Sequence, residues 1–208
     1  MTCYLVLKKV ELLRQSFLFE VNILFSFEGY TLFLDRDGVI NEKLVDDYVK
    51  IWDEFVFCEG SLLSIELLSK FFSRIILVTN QRGVGKKIMT VEQLEEIHEK
   101  MTHEIFRAGG RIDKIYYCVD KFDSAVCRKP NTGMGINAKK DFPEINFAKS
   151  IMVGDSISDM IFAKRLKMKS VYISSVDKSD LYVKEKGLID FKFDSLFDFA
   201  QKIHLLNF

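Results

Sequence analysis

Along the chain, short continuous apolar runs alternate with longer stretches in which apolar residues recur at helical spacing. Residues 31–34, 74–78, 114–119, 150–153 and 170–173 read as buried strands. Residues 61–72 and 90–107, segments around 136–140 and 158–166, and a closing stretch 195–205 read as helices. Thr90 and Gln93 are spaced as a capping box at the start of one helix, and Gly109-Gly110 stops it. Strands without a polar face, separated by helices, predict an α/β fold: a Rossmann-like parallel sheet with helices on both faces. Ligands of such sheets sit at the carboxyl ends of the strands. The polar clusters of this sequence fall there repeatedly.

Composition narrows the picture. With 208 residues, 48% hydrophobic and 29% charged, the chain has the makeup of one globular domain. Thirty basic and thirty acidic residues cancel. That balance offers no basic face, so neither nucleic acid nor a membrane is expected as a partner. Residues 16–27 are strongly apolar, but Glu20 and Asn22 interrupt them and the run is too short to cross a bilayer. A packed extra strand or helix is expected there, with an interfacial anchor or a later start of translation as alternatives, although no internal Met precedes Met89. Residues 1–29 are therefore taken as an extension and 30–208 as the domain. Cys3, Cys58, Cys118 and Cys127 are scattered and follow no secretory leader, so reduced thiols in a cytoplasmic monomer are expected.

Four clusters carry the candidate chemistry. After the first strand come Asp35, Arg36, Asp37 and Gly38. Continued extended geometry would put both carboxylates on one side, where a shared proton or a cation such as magnesium would relieve their repulsion. A polar turn is the plain alternative, and calcium loops contain similar runs. After the second strand, Thr79, Asn80, Gln81 and Arg82 precede Gly83 and Gly85, a setting that suits a phosphate oxygen without forming a Walker loop. Arg128 and Lys129 stand in a loop before a helix; Lys129 can neutralise a carboxylate and a phosphoryl oxygen together, and Arg128 can fork onto a second anionic or hydroxylated group. Asp155 follows an apolar strand, with Asp159 four residues on; both could instead cap a helix.

In this order the four pieces resemble the haloacid dehalogenase superfamily of phosphohydrolases. The resemblance implies that Asp35 attacks phosphorus, that Asp37 serves as acid and then base, and that Thr79, Asn80 and Lys129 hold the phosphate. It also implies magnesium held by Asp35, the backbone carbonyl of Asp37 and Asp155, with Asp159 orienting the water shell or Lys129. The spacings of 44 residues from Asp35 to Thr79 and 50 from Thr79 to Lys129 leave no room for a large cap domain. Within the capless group, the wording around residues 33–41, 78–81, 116–118, 127–130 and 152–155 is similar to the D-glycero-D-manno-heptose-1,7-bisphosphate 7-phosphatase and histidinol-phosphate phosphatase family. That similarity puts Arg128 on the distal part of a small phosphorylated metabolite, with Tyr48, Gln81 and Arg82 as further substrate contacts. Asp47 and Val49 flank Tyr48 in the same loop. Cys118 and Cys127 match the outer positions of a loop zinc site common in the family, but Asp120 and Ala125 replace its other ligands, so zinc is not expected. Other small-metabolite phosphatases, a nucleic-acid 3′-phosphatase and a non-catalytic phosphate-binding regulator are the competing readings. His98, His103 and His204 read as surface or packing residues.

Overall fold

The computed structural model describes residues 27–44, 46–174 and 187–206. Among these, six strands form one parallel sheet in the order β3-β2-β1-β4-β5-β6. The strands are β1 (Phe27–Leu34), β2 (Phe72–Asn80), β3 (Lys114–Cys118), β4 (Ser150–Gly154), β5 (Lys169–Ile173) and β6 (Phe191–Phe193). The last was not expected, because three residues are too few to carry a readable pattern. β2 begins earlier than predicted, since Phe72 pairs with Phe27 and stacks on its ring. The expected structure for the apolar stretch before Phe27 lies outside the described residues.

Alternating strand residues divide between two cores. Leu32, Leu34, Ile75, Leu77, Ile151 and Val153 pack on one face, against α1 (Ser61–Phe71), α3 (Val91–Arg107) and α6 (Leu196–Lys202). Phe33, Ile76, Val78 and Met152 pack on the other, against α4 (Gly133–Asp141) and α5 (Ile157–Arg165). Period-two side chains on strands apolar throughout produce this two-faced burial. The helix beginning after Thr90 has both halves of its capping box: the Gln93 N–H donates to Thr90 Oγ1 at 3.2 Å, and the Thr90 N–H to Gln93 Oε1 at 2.8 Å. A one-turn helix, α2 (Arg82–Gly85), follows β2 and was not foreseen.

The chain winds outward from β1 through β2 to β3, then returns to β4 on the other side of β1. Leu34 registers with Leu77 on one side and Val153 on the other. The winding reverses at the β1–β4 boundary, where a crevice opens at the carboxyl ends. Among the described residues, a 3₁₀ turn and α1 are the helical elements between β1 and β2, and α2, α3 and β3 fill the segment between Thr79 and Lys129. The sheet edge is therefore not covered by a large cap domain.

Candidate active site

Asp35 is the first residue beyond β1, and Asp155 the first beyond β4, so the winding reversal sets them side by side. The Asp35 N–H still donates to Val153 O at 2.9 Å, anchoring the two ends together. Beyond that bond the extended geometry ends: Arg36 bends the chain and Gly38 turns it with φ of 86°. A side chain at Gly38 would run into the Asp155 carboxylate, so glycine answers both conformation and space there.

Lys129 lies beneath this pair, fully buried. Its ammonium is 2.9 Å from Asp35 Oδ1 and 2.6 Å from Asp159 Oδ1, and it donates to Val78 O at 2.7 Å. The lysine is thereby first the counter-ion of two buried carboxylates. Burial pushes the Asp35 carboxyl up to about 6, against the pull of Lys129. Burial disfavours the Lys129 charge, but Asp159 and Asp35 outweigh it and raise the ammonium above its ordinary range. Asp159 also accepts at Oδ2 from the Ser156 N–H (3.1 Å) and hydroxyl (2.6 Å), closing the start of α5. The capping and lysine-holding readings of Asp159 are both realised, one on each oxygen.

Carboxylate oxygens of Asp35, Asp155 and Asp159 lie within 4.8 Å of one another. Oδ1 of Asp155 is buried without a hydrogen-bond partner, and burial raises this carboxyl. Its Oδ2 accepts from Lys43 Nζ at 2.6 Å. Converging hard oxygens, with Oδ1 of Asp155 and of Asp159 both lacking a hydrogen-bond partner, fit a divalent cation such as magnesium.

Asp37 has a different environment. Arg36, one of the largest fully buried side chains, donates Nη2 to both Asp37 oxygens at 2.9 and 3.0 Å. Asn41 Nδ2 donates to Oδ1 at 3.0 Å and Gln81 Nε2 to Oδ2 at 2.8 Å. Burial opposes ionisation of Asp37, yet the Arg36 charge and these donors hold its carboxyl below the usual range. Gln81, in the cavity wall, also bridges Asp37 and Thr79 through its amide, which lies 2.8 Å from Thr79 Oγ1. Asn80 exchanges two hydrogen bonds with the Lys129 peptide, at 2.9 and 3.0 Å, and so fixes the lysine loop. Arg36, Asn41 and Lys43 were not singled out from the sequence, because an arginine within an acidic motif and polar loop residues have no periodic signature.

Asp35, Asp37, Thr79, Asn80, Gln81, Arg128 and Asp155 line one cavity of about 270 Å³, with Lys43, Asp47 and Tyr48 also in its wall. Arg128 has Nη1 buried and without a partner, while its Nε donates to Asp123 at 3.1 Å. Arg82 is not in the cavity wall; its guanidinium turns to the same Asp123 carboxylate. The expectation of four reduced thiols is corrected: Cys118, at the end of β3, and Cys127 are joined in a disulfide, their Cα atoms 5.4 Å apart. His98 is buried on α3, with its Nε2 3.3 Å from Arg36 Nη1. Among the described residues, no helix is long and apolar enough to cross a membrane.

Comparison with known proteins gives concordant findings. A family model described as polynucleotide kinase 3 phosphatase matches residues 31–205. A D-glycero-alpha-D-manno-heptose-1,7-bisphosphate 7-phosphatase of Mycobacterium bovis is 34% identical over 172 residues, 82% of this chain and 90% of that protein. A D-glycero-beta-D-manno-heptose-1,7-bisphosphate 7-phosphatase of Neisseria meningitidis is 35% identical over 176 residues, 83% of this chain and 93% of that protein. Among solved structures, D,D-heptose 1,7-bisphosphate phosphatase from B. bronchiseptica, in complex with magnesium and phosphate, superposes with a TM-score of 0.75 at 28% identity, covering 85% of this chain and 98% of that one.

Proposed function

Because this chain belongs to the capless haloacid dehalogenase-like phosphatases, in the family of the heptose-1,7-bisphosphate 7-phosphatases, we propose that it removes the 7-phosphate of D-glycero-D-manno-heptose 1,7-bisphosphate with the help of magnesium. The observation that carries this reading is the Asp35 carboxylate at the end of the central strand, with Lys129 2.9 Å behind it and Asp155 beside it.

Asp35 attacks phosphorus in line with the departing sugar oxygen, forming an aspartyl-phosphate as the old P–O bond breaks. Asp37 gives its proton to that oxygen and then takes one from the water that hydrolyses the acyl phosphate. Arg36 keeps Asp37 ionised in the free protein, the form suited to the second half. An arriving phosphoryl dianion raises its proton affinity for the first half. Thr79 and the Asn80 loop meet the transferring oxygens, and Arg128, with Nη1 unsatisfied, meets the distal part of the sugar. Asp35, Asp155 and the Asp37 carbonyl would hold magnesium, which supplies positive charge that screens the anionic nucleophile from the anionic phosphate.

Two outcomes at the metal site follow. Asp35 must be ionised to bind a cation, and its carboxyl sits at about 6 in the metal-free protein. Magnesium affinity measured by calorimetry is therefore expected to be flat above about pH 7 and to fall by up to about tenfold per unit below pH 6. An affinity independent of pH from 5 to 7 contradicts this. Lys43, half-exposed, competes for Asp155. Lys43→Met is expected to tighten magnesium binding by about threefold, the scale of an exposed ion pair; weaker binding in this variant would refute the competition.

The description of the family model favours one second reading, a 3′-phosphatase acting on nucleic-acid ends. The zero net charge weighs against it. Comparing kcat/KM for both anomers of heptose 1,7-bisphosphate, histidinol phosphate and a 3′-phosphorylated oligonucleotide decides between them. The heptose is expected to lead by at least about tenfold, and an oligonucleotide preference would replace the first reading with the second.

A further inference from the structure

Residues adjacent on an extended strand point to opposite faces, yet Arg36 and Asp37 form a pair. The bend after Leu34 turns the Arg36 side chain back along the chain, into a site with 1% exposure. Its guanidinium is gripped from two sides. Nε and Nη2 face Asp37, Nε lying 3.3 Å from Oδ1. On the far side, Nη1 is 3.3 Å from His98 Nε2. His98 comes from α3, 62 residues away, and its ring packs against Tyr117, with centroids 5.5 Å apart. The Tyr117 hydroxyl in turn donates to Glu95 at 3.0 Å, one turn before His98 on α3. Burial and the Arg36 charge hold His98 down to about 3, so the ring is neutral and its Nε2 accepts from the guanidinium. A buried histidine facing a buried arginine has no packing advantage over leucine at that point, since both polar groups lose water.

We propose that Arg36 and His98 are a positioning pair for Asp37, with His98 fixing the far edge of the guanidinium so that its near edge aims the Asp37 carboxyl at the leaving oxygen. The inference rests on the role proposed above for Asp37. During transfer the Asp35–phosphorus bond forms, the phosphorus–sugar oxygen bond breaks, and the Asp37 proton passes to the sugar oxygen. Loosening Arg36 lets the carboxyl swing away from that line while leaving Asp35, Thr79 and Lys129 in place. Asn41 and Gln81 alone then orient Asp37, each through one hydrogen bond.

The readout is the difference between leaving groups. A sugar alkoxide needs the proton as it departs, whereas the phenolate of p-nitrophenyl phosphate leaves without one. Because Asp37 also serves the hydrolysis step common to both substrates, the reading is taken on aspartyl-phosphate formation in a single turnover. His98→Leu is expected to slow that step for the heptose phosphate by about 10- to 100-fold, with the half-saturating substrate concentration within about twofold. The same step with p-nitrophenyl phosphate should change by less than about threefold. His98→Gln keeps an acceptor for Arg36 Nη1 and should recover most of the loss. Arg36→Lys, which keeps the charge and loses the two-sided grip, is run in parallel, so that the ratio is read even if His98→Leu does not accumulate as folded protein. Equal losses on both substrates, or a His98→Gln variant no better than His98→Leu, would overturn the inference and leave His98 a packing residue. Asp37→Asn is the control. If it lacks the leaving-group dependence, the assignment of Asp37 itself falls and the positioning pair with it. If it shows the dependence and His98→Leu does not, only the inference falls.

Discussion

Asp35→Asn is expected to abolish turnover, by roughly four to six orders of magnitude in kcat, while the protein stays folded and still binds substrate. Asparagine keeps the shape of the side chain but cannot form the acyl phosphate. The sign of the stability effect is also fixed. The folded protein holds this carboxyl at about 6, above its ordinary value of 3.8, so the cost of ionising it in the fold builds up between those values and is fully present at pH 7. A neutral amide avoids that cost. Without metal, the thermal midpoint of Asp35→Asn at pH 7 should therefore equal or exceed that of the wild type, and the stabilisation given by magnesium should shrink. Quench-flow with labelled substrate should show phosphate on the wild-type protein and none on the variant. Turnover at the normal rate would remove the covalent route.

Lys129→Met is the second large effect, and it reaches stability as well as activity. The ammonium is the shared partner of Asp35 and Asp159, both buried, and methionine would leave two carboxylates without a counter-charge. Breaking a buried pair from one side costs about 3–5 kcal/mol, far more than the same change at the surface. Turnover should fall by about a thousandfold. Protonation of the stranded Asp35 carboxyl, already raised to about 6 in the wild type, relieves part of the penalty, so the gap in thermal midpoint between variant and wild type should narrow as pH drops from 7 to 5. Saturating magnesium should narrow it further at pH 7. Chemical denaturation across this pH range checks both trends; a gap that widens toward pH 5 would mean that Lys129 does not serve mainly as counter-ion.

The strands that position the site were legible because they are apolar on both faces, a pattern that only a covered parallel sheet satisfies. Their carboxyl ends were legible for the same reason: Asp35, Thr79 and Asp155 each follow directly on such a run or close it. The partners of these residues were not. Gln81 reads as a substrate contact and Asn80 as a phosphate contact, and neither reading carries the links that Gln81 makes between Asp37 and Thr79 and Asn80 makes to the Lys129 peptide. Such links join residues 44 and 49 positions apart, and no local periodicity encodes them. His98 was hidden differently. It lies on a helix rich in charge, and only the inward side of α3, with Leu94, Ile97 and Met101, carries it to Arg36. The disulfide was missed because widely scattered cysteines offer no pairing pattern, whereas the β3 end and the loop before Lys129 bring Cys118 and Cys127 together.

Asp159 has a consequence for how this protein can change over generations. One of its oxygens secures the first turn of a helix and the other anchors the ammonium under the nucleophile. A lineage drifting toward a silent, merely phosphate-sensing descendant could lose Asp35 or Asp37 and keep its architecture. Losing Asp159 would fray α5 and strand Lys129 at once, so at that position selection for folding alone is enough to preserve part of the chemistry.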